Sequence, residues 1–453
     1  HKHYSIIILH LGCLISLYIV KCLTMMEKET IRQPSLPDSQ GLFEDSFFEF
    51  LPYSDLSRWV PEQSTYEEAQ RSTKALLRLG NIKALSFLSF IGPRAPKDNF
   101  YIEHHHTRFD HSLVVALTTE QILRQNGASL DQINIGIVAG LFHDIATPAL
   151  GDATKQLDPK NLNEEDFWWE TLDKRGKDFV GKFTDKETLD RIIKNQGPLG
   201  EVLDIADRIT YVMKDLYNVV GPIKPEELKS SPLLASINDI LSFYPKIGNI
   251  YKDVGVDQKK NKVFFNDPNM LYAFLLLRAT LHKEFYLHPI NQGRDLFIAK
   301  LLEPLYSKDD ASKLTPSLLR QMNDYDLLKI MCRKYCPDML AESAFFSLTN
   351  WLPLFEKLDT QEEAIARAKQ LQQNANVTVV GVKKCRGFDS GISYNVVGKN
   401  GKIISFSEFD PYRAKRLQEL GDSTKGFFVF YADVSKDSPT NMLLKRVLGQ
   451  KTN

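Results

Sequence analysis

Apolar residues recur every three or four positions along most of the chain, which is the spacing of one face of an α-helix. The interval from Asp110 to Gln125 has this spacing and stops at Asn126-Gly127, a typical helix end. The next interval, Asp131 to Ile145, is apolar nearly all round and predicts a central, buried helix. Further helices are predicted at 185–195, 199–219, 268–287, 293–306, 316–334, 339–349 and 360–374.

The pattern changes after Asn376, where β-branched and aromatic runs replace the helical spacing. Asn400-Gly401 lies between two of these runs and is a strong signal for a β-hairpin. A short helix is expected at 413–420. We therefore predict a mainly α fold with a small C-terminal α+β domain. The predicted strands of that domain are 377–382, 394–397, 402–406 and 427–434.

Composition along the chain indicates where its parts begin and end. The apolar run at 5–20 is shorter than the roughly 18 to 20 residues of a spanning helix. We expect it to be non-native, with the natural start at Met25 or Met26; a membrane anchor is the alternative if this run is native. The five expected segments are an apolar leader at 1–24, an irregular arm at 25–63, a helical domain at 64–374, an α+β domain at 375–440 and a tail at 441–453.

Charge and cysteine content narrow the class of partner. Of the 453 residues, 57 are lysine or arginine and 57 are aspartate or glutamate. This balance removes the usual electrostatic argument for a dedicated nucleic-acid binder, so the expected partner is a small molecule or a second copy of the chain. The five cysteines are too scattered for a disulfide scaffold and fit a reducing compartment, so we expect a cytoplasmic protein.

Four groups of polar side chains interrupt the helical intervals. Arg108 and His111 are three residues apart and share a helix face, and His143-Asp144 lies in the most apolar helix. Burying an imidazole and a carboxylate there is costly unless a cation compensates them. The other two groups have i, i+4, i+8 spacing and consist of Asp207, Tyr211 and Asp215 beside Arg208, and of Arg278, His282 and Tyr286.

Taken singly, each group has an ordinary explanation. A lone histidine on an apolar face is more often a core residue than a ligand, and an acid–tyrosine pair is usually a solvated helix face. The combination is more informative, because a histidine, a buried His-Asp pair and a distant aspartate each lie on a helix. Two imidazoles and two carboxylates form a mixed nitrogen and oxygen site that suits Mn, Fe, Zn, Ni or Mg.

In order and spacing these residues resemble the H…HD…D signature of the HD-domain phosphohydrolase superfamily. The likeness is strongest to its deoxynucleoside triphosphate triphosphohydrolase branch, which includes the SAM-and-HD-domain enzymes. The resemblance extends over about 65–335, so the helical domain would be an HD phosphohydrolase domain. The matching segments are Thr107–Leu113, Leu141–Ile145, Asp207–Tyr211 with Asp215, and Leu277–Lys283 followed by Tyr286 and His288.

The resemblance implies a role for each matching residue. The arginines would contact phosphate, Tyr211 and Asp215 the sugar, and Tyr286 the base. The implied ligands of a divalent metal are His111, His143, Asp144 and Asp207. The implied substrate-binding residues are Arg108, Arg208, Tyr211, Asp215, Arg278, His282 and Tyr286.

The chain departs from this branch at the acid–base histidines. Thr147 and Asp152 occupy two of their positions, and Trp169-Glu170 aligns with a later histidine–glutamate pair. Asp152 and Glu170 are therefore our candidate proton carriers. The cluster Glu103–His106 offers a substitute imidazole, or else is a run of loop histidines on the surface.

We expect a metal-dependent phosphohydrolase acting on a nucleotide, with a (deoxy)nucleoside triphosphate as the leading substrate. Because the family's histidines are missing, a second hypothesis is a catalytically impaired nucleotide sensor or regulator. A third hypothesis is a nucleoside monophosphatase or cyclic-nucleotide hydrolase on the same scaffold. Relatives in the family commonly assemble into oligomers, so a homo-oligomer is also expected.

Overall fold

The computed structural model describes residues 107–220, 232–335, 353–435 and 439–448. The predicted leader and arm, the helix at 339–349 and the cluster Glu103–His106 lie outside the described residues. Within them, no helix combines the length and the apolar character that a membrane crossing requires.

Side-chain caps fix the starts of the first two long helices, α1 (Arg108–Gln125) and α2 (Leu130–Phe142). The Thr107 hydroxyl accepts from the backbone N–H of Asp110, whose carboxylate accepts from the backbone N–H of Thr107. Ser129 and Gln132 form the same reciprocal pair at the start of α2. Each capping box satisfies two N–H groups that the helix itself leaves without partners.

Helices continue through most of the described chain. A 3-10 helix covers Ile247–Asp253, and a π-helical turn covers His282–Tyr286. The remaining helices are α3 (Gly151–Lys155), α4 (Glu164–Thr171), α5 (Lys174–Val180), α6 (Lys186–Ile193), α7 (Gly197–Val220), α8 (Pro232–Phe243), α9 (Pro268–Leu281), α10 (Pro289–Leu302), α11 (Pro316–Gln321), α12 (Asp324–Tyr335), α13 (Gln361–Leu371), α14 (Phe406–Phe409), α15 (Pro411–Ser423) and α16 (Pro439–Leu448).

One predicted helix, 316–334, is wrong as a single element. The structure divides it into α11 and α12, because Asn323 accepts a hydrogen bond from the backbone N–H of Asp326 and so caps a new helix. The helix predicted at 268–287 is α9 followed by the π-helical turn.

Among the described residues, seven strands form two small sheets. The order of the first is β1-β2-β5-β6 and that of the second is β3-β7-β4. The predicted hairpin at Asn400-Gly401 is confirmed, since β5 and β6 pair antiparallel. The strands are β1 (Val254–Asp257), β2 (Lys262–Phe265), β3 (Leu354–Leu358), β4 (Val377–Cys385), β5 (Asn395–Val397), β6 (Ile403–Ser405) and β7 (Gly426–Asp433).

The C-terminal elements share a sheet and a core with the helices. Strand β5 pairs in parallel with β2, and the Asn395 side chain donates to the carbonyl of Val263 at 2.9 Å. Val396, Phe406 and Leu417 are fully buried in the same apolar cluster as α1, α2 and α7. The mainly α fold with a small C-terminal α+β region is confirmed.

Candidate metal centre

The four predicted ligands converge from three helices. His111 lies in the second turn of α1, His143 and Asp144 follow the end of α2, and Asp207 lies in α7. Asp207 Oδ1 is 2.9 Å from His111 Nε2 and 3.6 Å from His143 Nε2. Asp144 Oδ2 is 3.7 Å and 3.8 Å from the same two nitrogens. Two imidazoles and two carboxylates thus face one another in one small volume.

Burial and mutual attraction together set the charge of these groups. Burial opposes ionisation of Asp144, but Arg108 and the two imidazoles hold the pKa of its carboxyl well below the usual range. Burial acts likewise on Asp207, but a hydrogen bond to His111 and the nearby imidazole of His143 lower the pKa of its carboxyl. For His143, burial lowers the pKa, but Asp144, Asp207 and the carbonyl of Gly140 outweigh it and raise it to about 9.

The donor set fits a divalent cation. One donor atom from each of His111, His143 and Asp144 lies within 4.8 Å of the other two. His143 Nε2 is buried and has no hydrogen-bond partner among the described residues, while its Nδ1 is 2.8 Å from the carbonyl of Gly140. A bond from the second ring nitrogen to a carbonyl is the usual way in which a metal-binding histidine is oriented.

A chain of alternating charges leads away from this centre. Arg108 donates to Asp144 at 2.7 Å and has Asp152 at 4.0 Å. Lys155 in turn lies 2.9 Å from Asp152 and 2.6 Å from Glu164. Lys155 foremost, with help from Arg108, lowers the pKa of Asp152 to about 2, so this residue is a carboxylate at neutral pH.

The turn before α3 directs these residues towards Arg108. Leu150 and Gly151 both have positive φ angles, of 60° and 52°. This conformation is unfavourable for leucine, and the backbone N–H of Leu150 donates to Asp324 at 2.7 Å. The turn thereby places Asp152 and Lys155 beside the metal centre.

The centre opens into a cavity of about 490 Å³. Along one wall, the Tyr286 hydroxyl donates to Asp215 at 2.5 Å, and the Tyr211 hydroxyl is 3.2 Å from His282 Nε2. The lining residues are Arg108, His111, Asp144, Asp152, Lys155, Gln156, Glu164, Asp207, Tyr211, Asp215, His282, Phe285, Tyr286, Leu287, Asn291, Gln292, Asp295 and Lys383.

Two of the predicted phosphate contacts have other partners. Arg208 donates to the Asp389 carboxylate at 2.6 Å and to Asp204 at 3.0 Å. Arg278 donates to the backbone carbonyl of Asp389 and to the Tyr211 hydroxyl. Neither arginine lines the cavity. Both are held by the segment that follows β4.

Comparison with known proteins shows what the helices around the centre resemble. Residues 108–212 match the model of the HD domain family. The matched segment contains the four candidate metal ligands as well as Arg108, Asp152 and Tyr211.

Two solved structures resemble most of the chain. A hypothetical protein from Aquifex aeolicus is 18% identical with a TM-score of 0.57, over 84% of this chain and 95% of that one. A protein called a phosphohydrolase, from Bacteroides thetaiotaomicron, is 16% identical with a TM-score of 0.57, over 82% and 96%. At this identity the likeness shows a shared fold. No curated protein matches the chain.

Glu170 does not line the cavity next to the candidate metal centre. It is exposed on α4 and its nearest ion-pair partner is Lys186, at 3.7 Å. Its predicted role as a proton carrier finds no support in this position. Thr147 is fully buried and Trp169 packs against Lys177, and neither side chain lines the cavity.

Sequence analysis missed several cavity residues. Lys155 and Glu164 had a detectable signal, because they follow Asp152 closely and can pair with it or with each other through short-range contacts. Lys383 had none: it comes from β4, more than 200 residues after His143-Asp144 in the sequence. Only the packing of the C-terminal sheet against α10 places it at the cavity.

Proposed function

We propose that this chain is a metal-dependent phosphohydrolase that acts on a nucleotide, with a (deoxy)nucleoside triphosphate as its leading substrate. The observation that carries the proposal is the convergence of His111, His143, Asp144 and Asp207 at one end of a polar cavity. The name of the Bacteroides thetaiotaomicron protein supports the same reaction class.

In the proposed hydrolysis of a phosphoester, the metal centre and the residues next to it have different roles. A divalent ion held by the four ligands would polarise a phosphoryl group and lower the pKa of a bound water from 15.7 towards about 7. Arg108, bonded to Asp144, is placed to neutralise phosphate oxygens next to that centre. Asp152, ionised at neutral pH, would accept a proton or orient the attacking water.

The side of the cavity formed by Tyr211 and Tyr286 favours a nucleotide over inorganic phosphate, because it offers groups that can contact a sugar and a base. Tyr286 donates a hydrogen bond to Asp215, which lines the cavity, and a carboxylate in this position can accept a hydrogen bond from a sugar hydroxyl. His282 stacks on Phe388 with ring centroids 4.8 Å apart, and Tyr211 and Tyr286 pack around it. Aromatic faces of this kind suit a ribose or a base.

The test is an assay of the metal-loaded protein against nucleoside mono- and triphosphates and a cyclic nucleotide, with products identified by mass spectrometry. We expect metal-dependent hydrolysis of a triphosphate. Asp207→Ala removes a ligand and should abolish both bound metal and turnover. Asp178→Asn changes an exposed carboxylate of α5 that pairs with Lys174, and should retain both. Full activity of Asp207→Ala would contradict the proposal.

The alternative is a nucleotide sensor without turnover. It is favoured by the placement of Thr147 and Trp169 outside the cavity and by the engagement of Arg208 and Arg278 with Asp389. It predicts that a nucleotide raises the melting temperature while no phosphate is released with any divalent metal.

We also propose a homo-oligomer. Light scattering coupled to size-exclusion chromatography tests it, and a monomer at all concentrations would contradict it. Cytoplasmic localisation stays a prediction.

A further inference from the structure

Three cations line the cavity beyond the imidazoles, and they differ in their partners. Arg108 is bonded to Asp144, and Lys155 to Asp152 and Glu164. Lys383 forms no ion pair within 4.0 Å in the part of the chain that the structure describes. The carboxylates of Asp295 and Asp152, which also line the cavity, favour its charged form.

The fold directs Lys383 to this position from a distant part of the chain. A β-bulge between Val379 and Gly381 shifts the register of β4 against β7. After the bulge, Gly381 faces Leu296 and Lys300 of α10. Because side chains alternate along a strand, Lys383 shares this face. Helix α10 also carries Gln292 and Asp295, which line the cavity, so the strand and the helix close it together.

An ammonium group in this position is costly without an anionic ligand. Burial lowers the pKa of Lys383, which records the free energy of removing its charge from water. A direct ion pair with a nearby carboxylate would normally offset this free-energy cost. Here the charge is presented to the cavity instead, which is the arrangement that a bound anion completes.

The three cations share one acidic neighbour. Asp152 lies 4.0 Å from Arg108 and 2.9 Å from Lys155, and its charge also acts on Lys383. The Asp152 side chain is 64% exposed. An anionic chain that enters the cavity beside Arg108 therefore shares this cavity with Lys155 and Lys383.

We propose that Lys383, with Lys155, binds the outer phosphate groups of a polyphosphate substrate and gives the site its preference for triphosphates over monophosphates. The inference rests on the proposed function for its kinetic consequences, but polyphosphate binding itself does not depend on turnover. Arg208 and Arg278, which the family resemblance places at phosphate, are engaged by Asp389, so the cavity cations take this role.

The experiment compares Lys383→Gln with Lys384→Gln. Lys384 is the next residue of β4, exposed on the opposite face against the Phe427 ring, and is therefore a matched control. For a nucleoside triphosphate we expect KM to rise roughly 10- to 100-fold in Lys383→Gln, the range for one charge-assisted hydrogen bond, with kcat little changed. For a monophosphate KM should stay constant. Lys383→Arg should restore most of the triphosphate affinity.

A binding arm separates this inference from the proposed function. Calorimetric titration with inorganic tripolyphosphate should show the same loss of affinity in Lys383→Gln, even if the chain hydrolyses no nucleotide. Absence of hydrolysis by the wild type, with this loss intact, would refute the enzyme and retain the polyphosphate site. Equal tripolyphosphate affinities for wild type and Lys383→Gln, or an equal effect of Lys384→Gln, would overturn the inference.

Discussion

At the scale of single residues, we expect a proton and a metal ion to compete for His143. The His143 imidazole lies between two carboxylates that raise its pKa to about 9, whereas a metal requires the neutral ring. The same carboxylates that favour its protonated form would also bind the ion. Metal binding should therefore displace a proton from this ring, and metal affinity should increase with pH.

The pKa of His282 is shifted in the opposite direction, below its usual value. Burial, Arg278 and Arg208 hold its pKa well below 6.5, so the ring is neutral in the folded protein. The stabilisation that comes from keeping this ring neutral is fully present above pH 6.5. As the pH falls below that value, the unfolded chain takes up a proton that the folded chain excludes, and the free energy of unfolding decreases.

We predict that His282→Gln flattens the pH dependence of stability below pH 6.5. Each pH unit in this window contributes up to about 1.4 kcal/mol in the wild type. Chemical denaturation of both proteins at pH 7.5, 6.5 and 5.5 measures the difference. A wild-type-to-variant difference that is constant with pH would show that His282 titrates normally.

At the scale of elements, the crossing of α1 and α2 positions the centre. A Cβ at Gly140 would lie 2.5 Å from the Ala116 Cα, so the helices approach as closely as backbone allows. The carbonyl of the same glycine bonds His143 Nδ1. Helix packing and imidazole orientation therefore depend on one residue.

Gly140→Ala should lower the free energy of unfolding by about 1–3 kcal/mol, because the added methyl group overpacks the crossing. Metal affinity should fall as well, since His143 moves with the carbonyl. Gly181→Ala is the control: Gly181 has helical φ, and its nearest neighbour to an added Cβ is 3.4 Å away. Thermal unfolding and metal titration of both variants test this prediction. Equal stability and equal metal affinity in the two variants would refute it.

The elements also show what sequence could and could not predict. Strong periodicity with a cap or stop gave α1, α2 and the β5–β6 hairpin, because local interactions determine them. The break at Asn323 was missed, since apolar spacing continues across it. Strands β1 and β2 were also missed, because four residues carry too little alternation to be distinguished from a loop.

For the site as well, some features could be predicted from the sequence and others could not. The grouping of His111, His143, Asp144 and Asp207 could be expected from the sequence, because their order and spacing resemble the H…HD…D signature; that they bind a metal stays a prediction. The partners of Arg208 and Arg278 were not, because Asp389 comes from a segment brought there by tertiary packing.

At the scale of the whole molecule, the C-terminal elements and the helical part share a sheet and a core. Strands β2 and β5 pair across the predicted boundary near residue 375, and Leu417 of α15 is buried in the core that also holds α1 and α7. The domain division itself stays a prediction. The shared core indicates that both parts unfold together.

Leu417→Ala should therefore destabilise the helical part as well as α15, by about 2–5 kcal/mol. Hydrogen exchange monitored on α9 and α7 reports the effect away from the substitution. Faster exchange in α15 alone, with unchanged protection in α7, would indicate two independently stable units.

The central claim is that four side chains hold one divalent ion. Crystals of the metal-loaded protein, measured at the absorption edge of the bound metal, test it most directly. We predict one anomalous peak within about 2.0–2.2 Å of His111 Nε2, His143 Nε2 and an oxygen each of Asp144 and Asp207. A fully loaded protein whose peak lies elsewhere, or beyond the reach of any of these four side chains, would contradict the account.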